Sequence, residues 1–460
     1  MACLLSACTF DPAGVTSADA PEVDAGSLGD ASPPGDGGPC DSDVAVALTI
    51  GGIAVQPPAG EPYVHALPGD IVELSAAGSC GRLGPLDYQW QISPIDDTRS
   101  TASPDLSSPT LTIYPTDVRD YVVTLTVRSG SASAQATALA IRTHGWQRQD
   151  GLPDDQEIRD LSLGGDRLWL AHRSGIHYRP LTTDGAAGFV DLAAEIEGEA
   201  LPEAVEVAHY SAAARALFLA EAAPSAEFVR VALDGPRPMA QAIAIDGPTV
   251  FGQPVRIHDI GAANAGVALA TDRGLVRYRG DGFGPVFVPD TLEVHATAHG
   301  VGARWAGGHR LHDLRNAGAA FDPFAGAAGG DNRIRALLLD QEQDELWAVT
   351  DGFGAARVDI ATEATTIDLY DATSSLRADR LRALVSESPG PHGGDVWVAT
   401  DRGVARYLRA RDQWLLLGNQ HGLHERLDVQ ALVLDSSGGR RTLYAGSTRG
   451  LVRLQMPTQP

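Results

Sequence analysis

The residues of this chain that are able to do chemistry are spread along it and do not gather into one motif. His421-x-x-His424, followed by Glu425, comes nearest to a set of metal ligands. In a loop, a two-residue spacer gives the imidazoles no shared face, and no HExxH stands anywhere to provide a helix that would. The acidic segments lack the DxDxDG spacing of a calcium loop. No GxSxG marks a nucleophile elbow, and no Gly-rich loop leads into a helix to cradle phosphate. Glycoside hydrolysis needs two carboxylates at a defined separation, which sequence alone does not give. Cys3, Cys8, Cys40 and Cys80 make neither a CxxC pair nor a zinc-spaced Cys/His set. The expectation is a protein that is not an enzyme, with no cofactor and no bound metal.

What remains are polar side chains that recur at equivalent places. One class sits in tight turns: His172, Arg173, Asp272, Arg273, Asp351, Asp401, Arg402 and Arg449. A second sits in loops that lead into strands: Asp154, Asp155, Asp379, His421 and His424. A third lies within strands: Arg159, His258, His295, Arg335, Arg382 and Gln430. Two readings stay open. In the first, these groups line one rim and the mouth of a channel and hold a polar or anionic ligand. In the second, the turn aspartates cap their own turns, and the strand arginines pair with aspartates of the neighbouring unit.

The elements that must position these groups come from a repeat. DVWVATDRGVARY at 395–407 has counterparts in RLWLAHRSGIHYR at 167–179, VALATDRGLVRY at 267–278, ELWAVTDGFGAARV at 345–358 and LYAGSTRGLVRL at 443–454. A unit returning every ~45 residues is the signature of a β-propeller array. An apolar strand precedes each unit: EIRDLSL, AVEVAHY, PVRIHDI, LEVHATA, RIRALLL, RLRALVS and DVQALVL. That predicts seven blades, with six as the alternative, because the fourth second half, near Ala303 in GVGARWAGGHRLHDL, is degenerate. Trp169, Phe218, Ala268, Trp347, Trp397 and Tyr444 should fill the space between blades. Gly175, Gly274, Gly354, Gly403 and Gly450 should supply positive φ after the turn. The stretch at Trp146 should complete the last blade and close the ring. These units resemble the two-component regulator propeller family, whose repeats read LWxAT..GL.RY after an IxxL strand. The resemblance covers most of residues 144–456 and implies a periplasmic sensor-type propeller. Neither a membrane helix nor a kinase follows, so binding or display is expected rather than signalling through the membrane.

Upstream, short alternating strands between Gly/Pro/Asp turns predict a small β-sandwich at 41–143, with Trp90 on a central strand. PGDIVELSAAGSCGRLGPLDYQWQI and DYVVTLTVRSGSASAQATALAI resemble the PKD family of extracellular Ig-like modules, which implies a spacer or adhesive role. Residues 9–40 are rich in Asp, Pro, Gly and Ala and contain no Lys or Arg, so they read as a disordered tether. Residues 1–8 read as a truncated lipoprotein signal: Leu5-Ser6-Ala7-Cys8 resembles a lipobox, which implies lipidation at Cys8. The basic and apolar parts of a signal peptide do not precede it, so a misassigned start codon and a chance match both stay open. The tether favours the lipoprotein. Cys40 and Cys80 are then the remaining thiols, and a disulfide between them is expected in an extracytoplasmic compartment, with two free thiols as the alternative.

With 35 basic and 59 acidic residues the formal charge is −24, which argues against non-specific nucleic-acid binding. The reading is an all-β chain: an Ig-like (PKD-like) β-sandwich followed by a seven-bladed β-propeller at 144–460. It is expected to be a monomer, lipid-anchored in the envelope of a Gram-negative bacterium, at the outer membrane or cell surface. It would bind an unknown protein or glycan partner and touch the membrane only through its anchor. A secreted propeller hydrolase or lyase acting on polysaccharide or peptide is the alternative, and a cluster of carboxylates or histidines on one rim would favour it.

Overall fold

The computed structural model describes residues 43–46, 49–52, 63–93, 106–152, 156–181, 188–245, 250–263, 266–280, 282–284, 293–297, 305–314, 320–325, 332–360, 367–371, 373–378, 380–387, 394–424, 427–437 and 441–457. They belong to two compact units, Met1–Gly145 with Gln455–Pro460, and Trp146–Leu454. Among the described residues the regular elements are strands and short 3-10 turns, so the protein is all-β.

In the first unit, one sheet joins Thr49–Gly52, Val72–Ser75 and Thr110–Ile113, and the other joins Tyr63–Ala66, Ala132–Thr143, Asp120–Ser129 and Leu86–Ser93. Period-2 alternation decides which faces meet. Along Asp120–Ser129 the residues Tyr121, Val123, Leu125 and Val127 are buried, and they share one core with Val72, Leu74, Trp90, Leu111 and Ile113 of both sheets. The indole of Trp90 donates to the Ser108 carbonyl at 2.8 Å, which satisfies its one polar atom. Cys80 opens a two-residue strand, Cys80–Gly81, paired with Val44–Ala45.

The second unit holds seven sheets among its described residues. Their first strands are Ile158–Gly164, Val205–Ser211, Ile257–Ala263, Ala296–Thr297, Ile334–Asp340, Leu381–Ser386 and Val429–Asp435. Each packs beside the next, and the last returns to the first, so the sheets form a closed, β-propeller-like ring. The second strands are buried almost throughout, because each sheet is covered on both faces by its neighbours. Trp169, Phe218, Ala268, Trp347, Trp397 and Tyr444 all lie on them and are buried. Burying each large one stabilises the ring by about 2–3 kcal/mol relative to exposure. In the fourth sheet Ala303 falls outside the described residues, and the strand Trp305–Gly307 carries a buried Trp305 instead. The last sheet draws on both ends of the unit: Trp146–Arg148 pairs with Gly450–Met456, Trp146 opposite Leu454.

Two recurrent devices hold this ring. The turn after the second strand is fixed by a hydroxyl: Thr271, Thr400 and Ser447 each donate to the carbonyl of the Gly three residues on, at 2.8, 3.0 and 2.8 Å. Those glycines have φ of 121°, 126° and 103°. Between neighbouring sheets, an aspartate of one first strand accepts from the backbone of the next. Asp160 takes the Ala208 N–H at 2.8 Å, and Asp259 takes the Thr297 N–H at 2.8 Å and its hydroxyl at 3.0 Å.

Candidate anion site at the centre of the ring

The first strands share an irregularity. Pairing with the second strand jumps from Ile158 to Asp160, Val205 to Val207, Ile257 to Asp259, Ile334 to Ala336, Leu381 to Leu384 and Val429 to Ala431. The residues stepped over are Arg159, Glu206, His258, Arg335, Arg382 with Ala383, and Gln430. A bulge leaves a residue out of the ladder and re-aims its side chain. In the fourth sheet His295, just before Ala296–Thr297, supplies the corresponding side chain. The polar strand positions named from sequence, His295 apart, therefore share one irregularity of the backbone.

Most of this ring is paired within itself. Arg159 forms an ion pair with Glu206 of the next sheet. Arg335 meets Asp351 at 3.4 Å, while Arg382 lies 3.8 Å from Asp351 and 3.4 Å from Asp428. Pairing of strand arginines with aspartates thus accounts for this arc.

Two members of this paired set, Arg335 and Glu206, also border a cavity. His258, His295, Glu293, Arg335, Arg333, Arg256 and Glu206 line this cavity of about 240 Å³. The two imidazole rings are 4.3 Å apart. Glu293 Oε1 lies 3.5 Å from His258 Nε2 and 3.2 Å from His295 Nε2. These contacts lack hydrogen-bond geometry: His258 Nε2 and both ring nitrogens of His295 are buried without a hydrogen-bond partner. His295 is only 2% exposed. Burial, helped by Arg256, Arg335 and Arg333, holds His258 down to about 4. Burial, then the His258 ring, Arg335, Arg333 and His309, hold His295 down to about 3. Both rings are neutral at ordinary pH, so the cations of this cavity are the arginines. The cavity sets three guanidinium groups and two neutral imidazoles beside the carboxylates of Glu293 and of Glu206, the latter already paired with Arg159; the guanidinium groups are what suit an oxygen anion.

The other expected residues lie in the turns. Asp272 accepts the Arg256 N–H at 3.1 Å, and Arg273 meets the Gln253 side-chain amide. The Asp401 N–H reaches the Arg380 carbonyl at 3.3 Å, and Arg402 donates to the Arg377 carbonyl at 3.2 Å. His421 is buried and accepts the Gly418 N–H at 3.0 Å, whereas the exposed His424 meets Arg449 at 2.9 Å. His421 and His424 therefore point to different partners. Asp154, Asp155, Asp379, Glu425, Cys8 and Cys40 fall outside the described residues. Cys80 is disulfide-bonded, with a partner outside the described residues, so the Cys40–Cys80 pairing stays an expectation. Glu206, Glu293, Arg256 and Arg333 were not among the residues expected from sequence. Glu206 was legible in principle, since it holds in AVEVAHY the place that Arg159 holds in EIRDLSL.

No family model and no curated protein matches the chain. Among solved structures it is similar to the extracellular domain of a protein described as a hybrid two component system from B. thetaiotaomicron. The TM-score is 0.53 at 13% identity, covering 73% of this chain and 44% of that one. The likeness shows the fold. The chain spans less than half the length of that neighbour.

Proposed function

We propose that this chain is a non-enzymatic, extracytoplasmic binding protein whose seven sheets are the blades of a seven-bladed propeller of the two-component regulator type. The PKD-like sandwich serves as a spacer, Cys8 carries a lipid anchor, and Cys40 bridges to Cys80. The ligand presents carboxylate, sulfate or phosphate oxygens, as an acidic glycan does. The observation that carries this reading is the cavity in which Arg256, Arg333 and Arg335 surround two neutral histidines. The extracellular neighbour supports the compartment, and the acidic surface supports solubility outside this basic spot.

A screen of the full chain against neutral, uronic-acid and sulfated oligosaccharides tests it. Binding is expected for the acidic members and falls with added sulfate. Binding of neutral sugars alone, or of none, would remove the anion reading. The His258–Glu293–His295 cluster is the one observation that favours the hydrolase or lyase reading, since it brings histidines and a carboxylate to one rim. New reducing or unsaturated ends appearing during that screen would establish it in place of binding.

A further inference from the structure

We propose that His258, Glu293 and His295 form a site for one divalent transition metal, zinc above all, in the wall of this cavity. The argument begins with shape. Four-coordinate zinc bound at about 2.0–2.1 Å by nitrogen and oxygen sets neighbouring ligand atoms about 3.3 Å apart. Glu293 Oε1 stands 3.5 Å from one imidazole nitrogen and 3.2 Å from the other, so two edges of that tetrahedron are already in place. One ligand atom from each of the three residues lies within 4.8 Å of the others. The third edge, between the two imidazole nitrogens, is no longer than 4.8 Å. Two imidazoles and one carboxylate leave a fourth position open.

The second line is the state of the nitrogens. A buried imidazole normally spends its ring nitrogens on hydrogen bonds. Here His258 Nε2 and both nitrogens of His295 have none, although His295 is 2% exposed. A metal bonded to Nε2 of each ring satisfies two of those three nitrogens and leaves only His295 Nδ1. The third line is rigidity. His258 sits on the first strand Ile257–Ala263, His295 directly precedes the neighbouring first strand Ala296–Thr297, and Asp259, next to His258, holds Thr297 by both its N–H and its hydroxyl. The His295 N–H is itself tied to the Gly307 carbonyl at 2.7 Å. Asp259 is thus a positioning residue for the pair.

Arg256, Arg333 and Arg335 oppose a lone cation. The same arginines favour an anion beside it, so metal and oxyanion enter as partners, with the anion in the open position. This last step rests on the anion reading above, while the three protein ligands stand without it.

The test uses the full chain, stripped with a chelator and reloaded with zinc or cobalt(II) chloride. One metal per chain should survive gel filtration, and cobalt should give the intense visible bands of four-coordinate geometry. His258→Gln and His295→Ala should each weaken metal binding by about 100-fold or more, and Asp259→Asn by about 10-fold. His258→Gln, close in volume, should melt with metal-free wild type, which separates loss of the metal from a fold defect; Asp259→Asn and His295→Ala remove buried contacts and should melt lower. Absence of stoichiometric metal, or its retention in both histidine variants, overturns the proposal. Sulfate or galacturonate should shift the cobalt spectrum of wild type and not that of Arg335→Ala. Metal uptake with no anion response keeps the metal site and removes the anion reading. Anion binding by a chain that takes no metal does the reverse.

Discussion

His172 shows what burial does to a single titratable side chain. Its ring is 0% exposed, and its Nε2 meets Nδ1 of His177, which shares its hairpin. Burial, and then His177, hold it down to about 4, against 6.5 for the free side chain. The folded state therefore resists the proton. That contribution is complete above about pH 6.5 and is lost as the pH falls toward about 4. Urea midpoints of wild type should drop over this window, and His172→Gln should lose roughly 2 kcal/mol less than wild type across it. Equal losses would show that the ring does not sense pH. The residue's type was legible from sequence, though it ends the strand Arg167–His172 and does not lie in the turn expected for it. Its burial was not, because an RLWLAHRSG hairpin looks the same whether its histidine faces solvent or a neighbouring ring.

At the scale of an element, the turn after each second strand separates what repetition reveals from what it hides. Recurring glycine was legible because a single backbone requirement, positive φ, explains it. At Gly403 an added Cβ would also meet the Leu417 carbonyl at 2.5 Å. Gly403→Ala should cost about 1–3 kcal/mol, read as a lower melting temperature, whereas Gly418→Ala, where a Cβ meets nothing within 4 Å, is the control. The hydroxyl of Thr400 that fixes the same turn was passed over, since the charged Asp401 and Arg402 beside it draw attention to ligand chemistry. The register slip of the first strands was not legible either. An apolar/polar alternation carries no mark of one skipped residue, yet that slip places Arg159, Glu206, His258 and Arg335 on one inner surface. The strand residues of the site were found from sequence, and their carboxylate partners Glu206 and Glu293 were not.

For the molecule as a whole, repetition was the strongest signal, and closure followed from it. The expected pairing of the stretch at Trp146 with the final strand is present, so the last sheet ties both ends of the second unit together. Trp146 is 5% exposed, and Trp146→Ala should cost about 3–5 kcal/mol. Hydrogen exchange should quicken first in Gly450–Met456 and next in Arg441–Ser447 of that sheet. Unchanged exchange there would mean that the ring closes without this strand. What repetition could not supply was the division of the inner ring between side chains paired across sheets and side chains that border the cavity, with Arg335 and Glu206 in both groups. That division depends on which carboxylate reaches which arginine across sheets, a matter of distance and not of motif.

The central claim is that the cavity lined by Arg256, Arg333 and Arg335 binds an oxygen anion. The direct measurement is a titration of the full chain and of its Arg333→Ala/Arg335→Ala variant with the acidic oligosaccharide that binds wild type best. The account predicts at least a tenfold, or about 1.4 kcal/mol, loss of affinity in the variant at an unchanged melting temperature. Equal affinity in the two proteins would contradict it.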